Sequence, residues 1–136
     1  MDLCKAKDTE INLIAKMTRQ LFEDEPSDKN LSNEQYEKRL REYMNNGCDA
    51  FLFLDENVIG YALVNLVRTP CYLIDFYICR DYRRKGRGTA AFELLMRELK
   101  AESIDLDVFC WNDRGRKFWE SLGFKERAII MRKEYF

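Results

Sequence analysis

Residues 71–100 read CYLIDFYICRDYRRKGRGTAAFELLMRELK. They open as an apolar run with β-branched and aromatic members, Tyr72, Ile74, Phe76 and Ile78, the composition of a strand. A basic, glycine-bearing turn follows, Arg83-Arg84-Lys85-Gly86-Arg87-Gly88, and then Ala91, Leu95 and Leu99 fall at helical spacing. Strand, glycine turn and helix start together make an anion site. The first amides of a helix lack carbonyl partners, and the aligned peptide dipoles place partial positive charge there. Glycines let the backbone approach a phosphate, and cationic side chains surround them. The stretch predicts a phosphorylated ligand at this turn.

Toward the amino terminus, residues 2–7 read as a short first strand. Asp8 or Thr9 then starts a helix with Ile11, Ile14, Met17 and Leu21 as its apolar stripe. That helix runs into Phe22-Glu23-Asp24-Glu25-Pro26, where proline stops it and three acids crowd together. Ser32 and Gln35 have capping-box spacing, and a second helix follows through Tyr36, Leu40, Tyr43 and Met44, closed by Gly47. Residues 50–54 and 58–67 read as strands joined by Asp55-Glu56-Asn57, and Pro70 separates them from the central strand. Toward the carboxyl terminus, residues 104–110 alternate as a strand. Asn112 or Asp113 can cap a short helix carrying Phe118, Trp119 and Leu122, with Gly123 at its end. Residues 124–135 read as one or two final strands. The order β-α-α-β-β-β-α-β-α-β predicts an α/β fold, a mixed central sheet with helices on both faces, as a single domain over residues 1–136.

Composition narrows the function. The chain has 136 residues, 46% of them apolar and 35% charged, the balance of a globular domain with a core of its own. A net charge of −1 argues against bulk attraction to nucleic acid or membrane. No apolar run approaches the roughly 20 residues needed to cross a bilayer, and the start MDLCKAKDTE is no secretion signal, so a cytoplasmic protein is expected. Five scattered cysteines, Cys4, Cys48, Cys71, Cys79 and Cys110, without a C-x-x-C pair, suit neither a disulfide framework nor zinc. There is no histidine, which removes Ser-His-Asp and Cys-His catalysis. No metal is expected, and proton transfer falls to carboxylates, tyrosines, lysines, cysteines or water.

With these residues in view, the chain resembles the GNAT superfamily of acetyl-CoA-dependent N-acetyltransferases. That family's cofactor signature, Gln/Arg-x-x-Gly-x-Gly/Ala between a strand and a helix, is matched by Arg83 through Gly88, with Thr89 following. A second signature is matched by Asn112, Phe118-Trp119 and Gly123-Phe124. The resemblance implies a GNAT-like fold and acetyl-CoA as cosubstrate. It implies that backbone amides across Arg83, Arg84, Lys85, Gly86, Arg87, Gly88 and Thr89 wrap the coenzyme pyrophosphate. The backbone of Phe76 and Ile78 would pair with the pantetheine arm, and a bulge near Phe76 would aim an amide at the thioester oxygen. Asn112 and its helix would line the other side of the coenzyme, with Lys117 within reach of phosphate. Pairing of two copies through the final strands or sheet edges is a further implication.

The implied reaction is direct attack of a neutral primary amine on the thioester in a ternary complex. Many relatives protonate the leaving thiolate with a tyrosine where this chain has Trp119, either a packing residue or one with a direct role. Tyr72 stands where some relatives carry a glutamate base, and is expected near the acceptor. Asp75 is a carboxylate inside an apolar run: it either holds the water that takes the amine proton, or points outward or pairs with a structural cation. Glu23, Asp24 and Glu25 lie where the family builds its acceptor pocket, as a lure for a cationic amine or as a solvated helix end. A weaker resemblance to diamine and polyamine acetyltransferases lacks their paired acids, since Ile74 precedes Asp75. The expected acceptor is a small amine, with a cationic one as the narrower case. Alternatives are a peptide amine, a coenzyme-A-binding module without turnover, and, more distantly, a nucleic-acid binder using the basic turn.

Overall fold

The protein is described by a computed structural model covering residues 1–25 and 31–136. β1 (Asp2–Lys5) leads through a 3-10 turn (Asp8–Glu10) into α1 (Ile11–Asp24) and then α2 (Asn33–Asn45). A meander follows, β2 (Cys48–Asp55), β3 (Asn57–Asn65) and β4 (Cys71–Ile78). A second 3-10 turn (Arg80–Tyr82) enters α3 (Arg87–Leu99), and β5 (Ile104–Asp105) and α4 (Asp113–Ser121) complete the order. The sheet runs β1-β2-β3-β4-β5, antiparallel through β4, with β5 parallel to β4. Pro26, marked by the sequence as the stop of the first helix, lies outside the described residues; α1 ends at Asp24.

Side-chain alternation divides the core into two layers. Ala50, Leu52, Tyr61, Leu63 and Tyr77 face α1 and α2, where Ile11, Ile14, Met17, Leu21 and Leu40 close over them. Phe51, Phe53, Ile59, Ala62, Val64 and Leu73 face the other way, against Ala91, Phe92 and Leu95 of α3 and Trp119 of α4. Helices therefore cover both faces of a mixed sheet, as the apolar periodicity predicts. The capping box is present: Gln35 N–H donates to Ser32 Oγ at 3.2 Å and Ser32 N–H to Gln35 Oε1 at 2.8 Å. Gly47, at φ +88°, follows α2 with Val67 packed where a Cβ would stand.

Strand alternation breaks once on β4. Leu63 pairs with Asp75 and Val64 with Leu73, so Ile74 is an extra residue, a β-bulge. The bulge lies two positions before Phe76, near where the family pattern led us to expect it. Its consequence is a change of face. Ile74 packs with the α1/α2 layer and so does Asp75, whereas Leu73 and Phe76 belong to the α3/α4 layer.

Two expectations need correction at the carboxyl end. β5 holds only Ile104 and Asp105 of the strand expected over residues 104–110, and the expected strands over residues 124–135 carry no ladder. A strand needs a neighbour for its N–H and C=O groups, and among the described residues β5 is an edge with no strand beyond it. Among the described residues, no helix is long and apolar enough to cross a membrane.

Candidate active site

The basic turn has an unusual backbone. Arg84 (φ +73°), Lys85 (φ +122°) and Gly86 (φ +70°) are three consecutive positive-φ residues, and Gly86 is the N-cap of α3. Two of the three carry a Cβ, which ordinarily disfavours this region by about 1–2 kcal/mol each. Left-handed residues in succession form a concavity of amides suited to an anion. The first helical bond runs from Ala90 N–H to Gly86 O at 3.0 Å, leaving the amides of Arg87, Gly88 and Thr89 at the helix start without a carbonyl within α3. Nothing would obstruct a Cβ at Gly86, so its glycine answers to backbone conformation alone. Gly88 answers to packing: a Cβ there would stand 3.2 Å from the Phe118 ring of α4.

The cations of the turn divide into two kinds. Arg83 turns back, donating to Ile78 O at 2.8 Å and to Asp24 at 2.6 Å. Arg87 reaches Asp55 at 3.4 Å and lies over the Tyr82 ring. Arg84 and Lys85 are exposed and have no ion pair among the described residues, so these two are free to meet a phosphate. Lys117 is likewise exposed, on α4.

Beside the turn, β4 has an open edge. It pairs with β3 along its length but with β5 only at Cys71 and Tyr72. From Leu73 to Ile78, past Phe76, that side has no ladder partner among the described residues. Asn112 caps α4, accepting from Gly115 N–H at 3.0 Å, and Gly115 leaves room for the Asn112 side chain. The Phe76 ring lies among Phe53, Phe92, Phe118 and Trp119. Trp119 meets Phe76, Phe92, Phe118 and Phe124 edge to face at 4.8–5.6 Å, the arrangement of a packing residue.

On the opposite face the expected acceptor groups take up partners. Asp75 is 3% exposed. Arg39 donates to both of its oxygens at 2.7 and 2.9 Å, and Tyr61 Oη donates to Oδ2 at 3.0 Å. Of the two readings of Asp75, this is the geometry of a carboxylate paired with a structural cation. Burial alone would lower the Arg39 pKa; the hydrogen bonds and charge of Asp75 reverse that and raise it. Burial, then the Asp75 charge, push Tyr61 well above its ordinary value, which keeps it a neutral donor. Thr18 Oγ1 lies 2.8 Å from the Tyr61 oxygen and completes the chain of contacts.

The three acids at the end of α1 do not act alike. Asp24 pairs with Arg80 and Arg83, and Glu23 with Arg19 and Arg80. Burial would raise the Asp24 pKa, but its two arginine hydrogen bonds outweigh that and lower it. Glu25 has no ion pair among the described residues; its pKa is raised by burial first, then by the charges of Asp75 and Asp24. Tyr72 is likewise raised, by burial and then by its hydrogen bond to Asp107, and Arg68 lies 4.5 Å over its ring.

Arg39 was not singled out in the sequence, although a signal was there. It sits inside the stripe Tyr36, Leu40, Tyr43, where a charge on an apolar face calls for a buried partner.

A left-handed amide turn at a helix start, beside a strand whose far edge opens after two pairs, is the arrangement expected of a coenzyme A site. The sequence model of the acetyltransferase (GNAT) family matches residues 14–124. The chain belongs to the GNAT family. It is 32% identical over 87 residues to the uncharacterized N-acetyltransferase YycN of Bacillus subtilis, covering 59% of this chain and 56% of that one. It is 33% identical over 82 residues to the L-amino acid N-acetyltransferase AaaT of Escherichia coli, covering 53% and 49%. This GNAT chain thus aligns with about half the length of those curated relatives. A predicted acetyltransferase with acetyl-CoA from Clostridium acetobutylicum shares the fold, with TM-score 0.75 at 17% identity over 98% of this chain and 95% of that one.

Proposed function

We propose that this GNAT chain transfers an acetyl group from acetyl-CoA to the primary amine of a small molecule, by direct attack within a ternary complex. The observation that carries the proposal is the conjunction of the positive-φ run at residues 84–86 with the open β4 edge from Leu73 to Ile78. The turn suits a pyrophosphate by its helix-start amides and by the free side chains of Arg84 and Lys85. The open edge suits the amide-bearing pantetheine arm, held as an added strand beside Phe76 and Ile78. Such an arm leads toward the bulge at Ile74, where a backbone amide released from the β3 ladder can donate to the developing oxyanion.

Holding the amine against the thioester provides most of the required entropy loss in advance. The leaving thiolate needs little help, since a thiol pKa near 8.5 makes it a tolerable leaving group around neutral pH. A tryptophan at residue 119 is therefore compatible with turnover. On the acceptor side, Glu23 and Asp24 are already engaged by arginines, which leaves Glu25 as the acid best placed to meet a cationic amine. The buried Arg39–Asp75 pair holds the bulge in shape and serves as a positioning element.

The packing of Trp119 also favours a second reading, a coenzyme-A-binding module without turnover. Two measurements separate the readings. Thermal unfolding against acetyl-CoA tests the site: about 100 Kd of ligand adds roughly 2.7 kcal/mol, and no rise at saturating acetyl-CoA would sink both readings. Thiol release with a panel of small amines tests turnover: binding without release would leave only the module.

A further inference from the structure

Arg83 opens the glycine-turn signature, yet its backbone and side-chain donors both turn into the protein. Its backbone N–H donates to Arg80 O at 3.4 Å, and its Nε donates to Ile78 O, at the end of β4, at 2.8 Å. Nη2 donates to Asp24 Oδ2 at 2.6 Å, a short, charge-assisted contact. The guanidinium also lies 5.2 Å over the Tyr77 ring, whose hydroxyl donates to Gln20 Oε1 of α1 at 2.8 Å. Asp24 is the last residue of α1, and Arg80 holds its other oxygen at 2.7 Å. With side chains 21% and 23% exposed, Arg83 and Asp24 are only partly screened by solvent. One guanidinium thus joins a strand end to a helix end.

Each end of this pair stands one peptide bond from a site. Arg83 precedes Arg84, where the positive-φ run of the coenzyme turn begins. Asp24 precedes Glu25, whose N–H closes α1 on Leu21 O at 3.0 Å. Charge connects the two ends as well. Burial and the charges of Asp75 and Asp24 push the Glu25 pKa up, and the Arg83 charge opposes them. We propose, on the coenzyme reading above, that Arg83 is a positioning residue and not a phosphate ligand: through Asp24 it ties the coenzyme turn to the end of α1, so that acetyl-CoA binding holds firm the backbone carrying Glu25. A pyrophosphate on the amides that follow Arg83 restricts the turn it enters. The planar guanidinium has a fixed fork geometry, so a fixed turn fixes Asp24 in its place. The linkage is reciprocal, and an amine held at Glu25 raises coenzyme affinity by the same factor.

Hydrogen exchange at the Glu25 amide, followed by nuclear magnetic resonance on the full chain, tests the tie without knowledge of the acceptor. Saturating acetyl-CoA should slow that exchange about tenfold, within the usual range of coupling between two sites. In Arg83→Gln and in Asp24→Asn the slowing should vanish, while the Kd for acetyl-CoA stays within about threefold of the wild type. Arg84→Gln should do the reverse, raising that Kd and leaving the Glu25 protection in place. A merely structural contact would change the exchange equally with and without coenzyme. Should Arg83→Gln fail to fold, Asp24→Asn gives the reading from the other end of the pair. An unchanged Glu25 exchange in a wild type that acetyl-CoA stabilises against heat would overturn the tie alone. So would slowing that survives in both variants, or a Kd raised about tenfold or more by Arg83→Gln and not by Asp24→Asn. No thermal shift with acetyl-CoA would reject the coenzyme site and the tie with it.

Discussion

Arg39 Nη1 lies 2.7 Å from Asp75 Oδ2, and the second guanidinium nitrogen lies 2.9 Å from the other oxygen, a two-pronged ion pair joining α2 to the bulge of β4. The bulge is what makes this contact available. With Ile74 inserted, Asp75 turns to the α1/α2 face instead of the aromatic layer under α3 and α4. Pair and bulge therefore support one another, since each holds the other's geometry in place.

Asp75→Asn should destabilise the protein by about 3–5 kcal/mol, because it leaves the Arg39 charge buried without a counterion. Arg39→Leu should cost a similar amount for the converse reason. The double variant Arg39→Leu, Asp75→Leu should recover much of the loss, since neither charge then remains unpaired. Urea unfolding of the three variants checks this, and additive losses would show that the pair is not a coupled unit.

Lys85→Gly should move stability and coenzyme affinity in opposite directions. At φ +122° the Cβ of Lys85 is strained, so glycine should stabilise the fold by up to about 1 kcal/mol. It also removes one of the two turn cations that have no ion pair among the described residues, so KM for acetyl-CoA should rise with kcat little changed. Thermal unfolding without ligand and initial rates with it provide the two readings. An unchanged KM would remove Lys85 from the phosphate site.

Glu25 should make stability fall as pH rises. Its pKa in the folded protein is raised above its ordinary value of 4.5, so the folded state holds its proton longer than the unfolded state does. Its effect is neutral below pH about 4.5 and unfavourable once pH passes the raised value. Glu25→Gln should match the wild type at the acid end and exceed it at neutral pH. Denaturant midpoints across that window check the sign, and a difference that shrinks with rising pH would refute it.

Trp119→Phe should retain turnover within a few-fold and cost under about 1.5 kcal/mol, because another aromatic ring can keep the edge-to-face contacts with Phe76, Phe92 and Phe124. Trp119→Ala should destabilise by about 3 kcal/mol by opening that cluster. A collapse of kcat in the phenylalanine variant, with stability intact, would instead assign the indole a part in the chemistry.

Local signals in the chain were enough for the element order from β1 to α4, both helix stripes, the Ser32 and Asn112 caps and the glycine turn before α3. All of these depend on neighbours within a few residues, where spacing and backbone preference act directly. Tertiary structure alone brought together Arg39 and Asp75, 36 residues apart, and turned Asp24 toward Arg80 and Arg83. It also cut β5 to two residues and left residues 125–136 without a ladder. Ion-pair choice and strand pairing are contacts between distant segments, and a strand pattern becomes a strand only where another edge lies beside it.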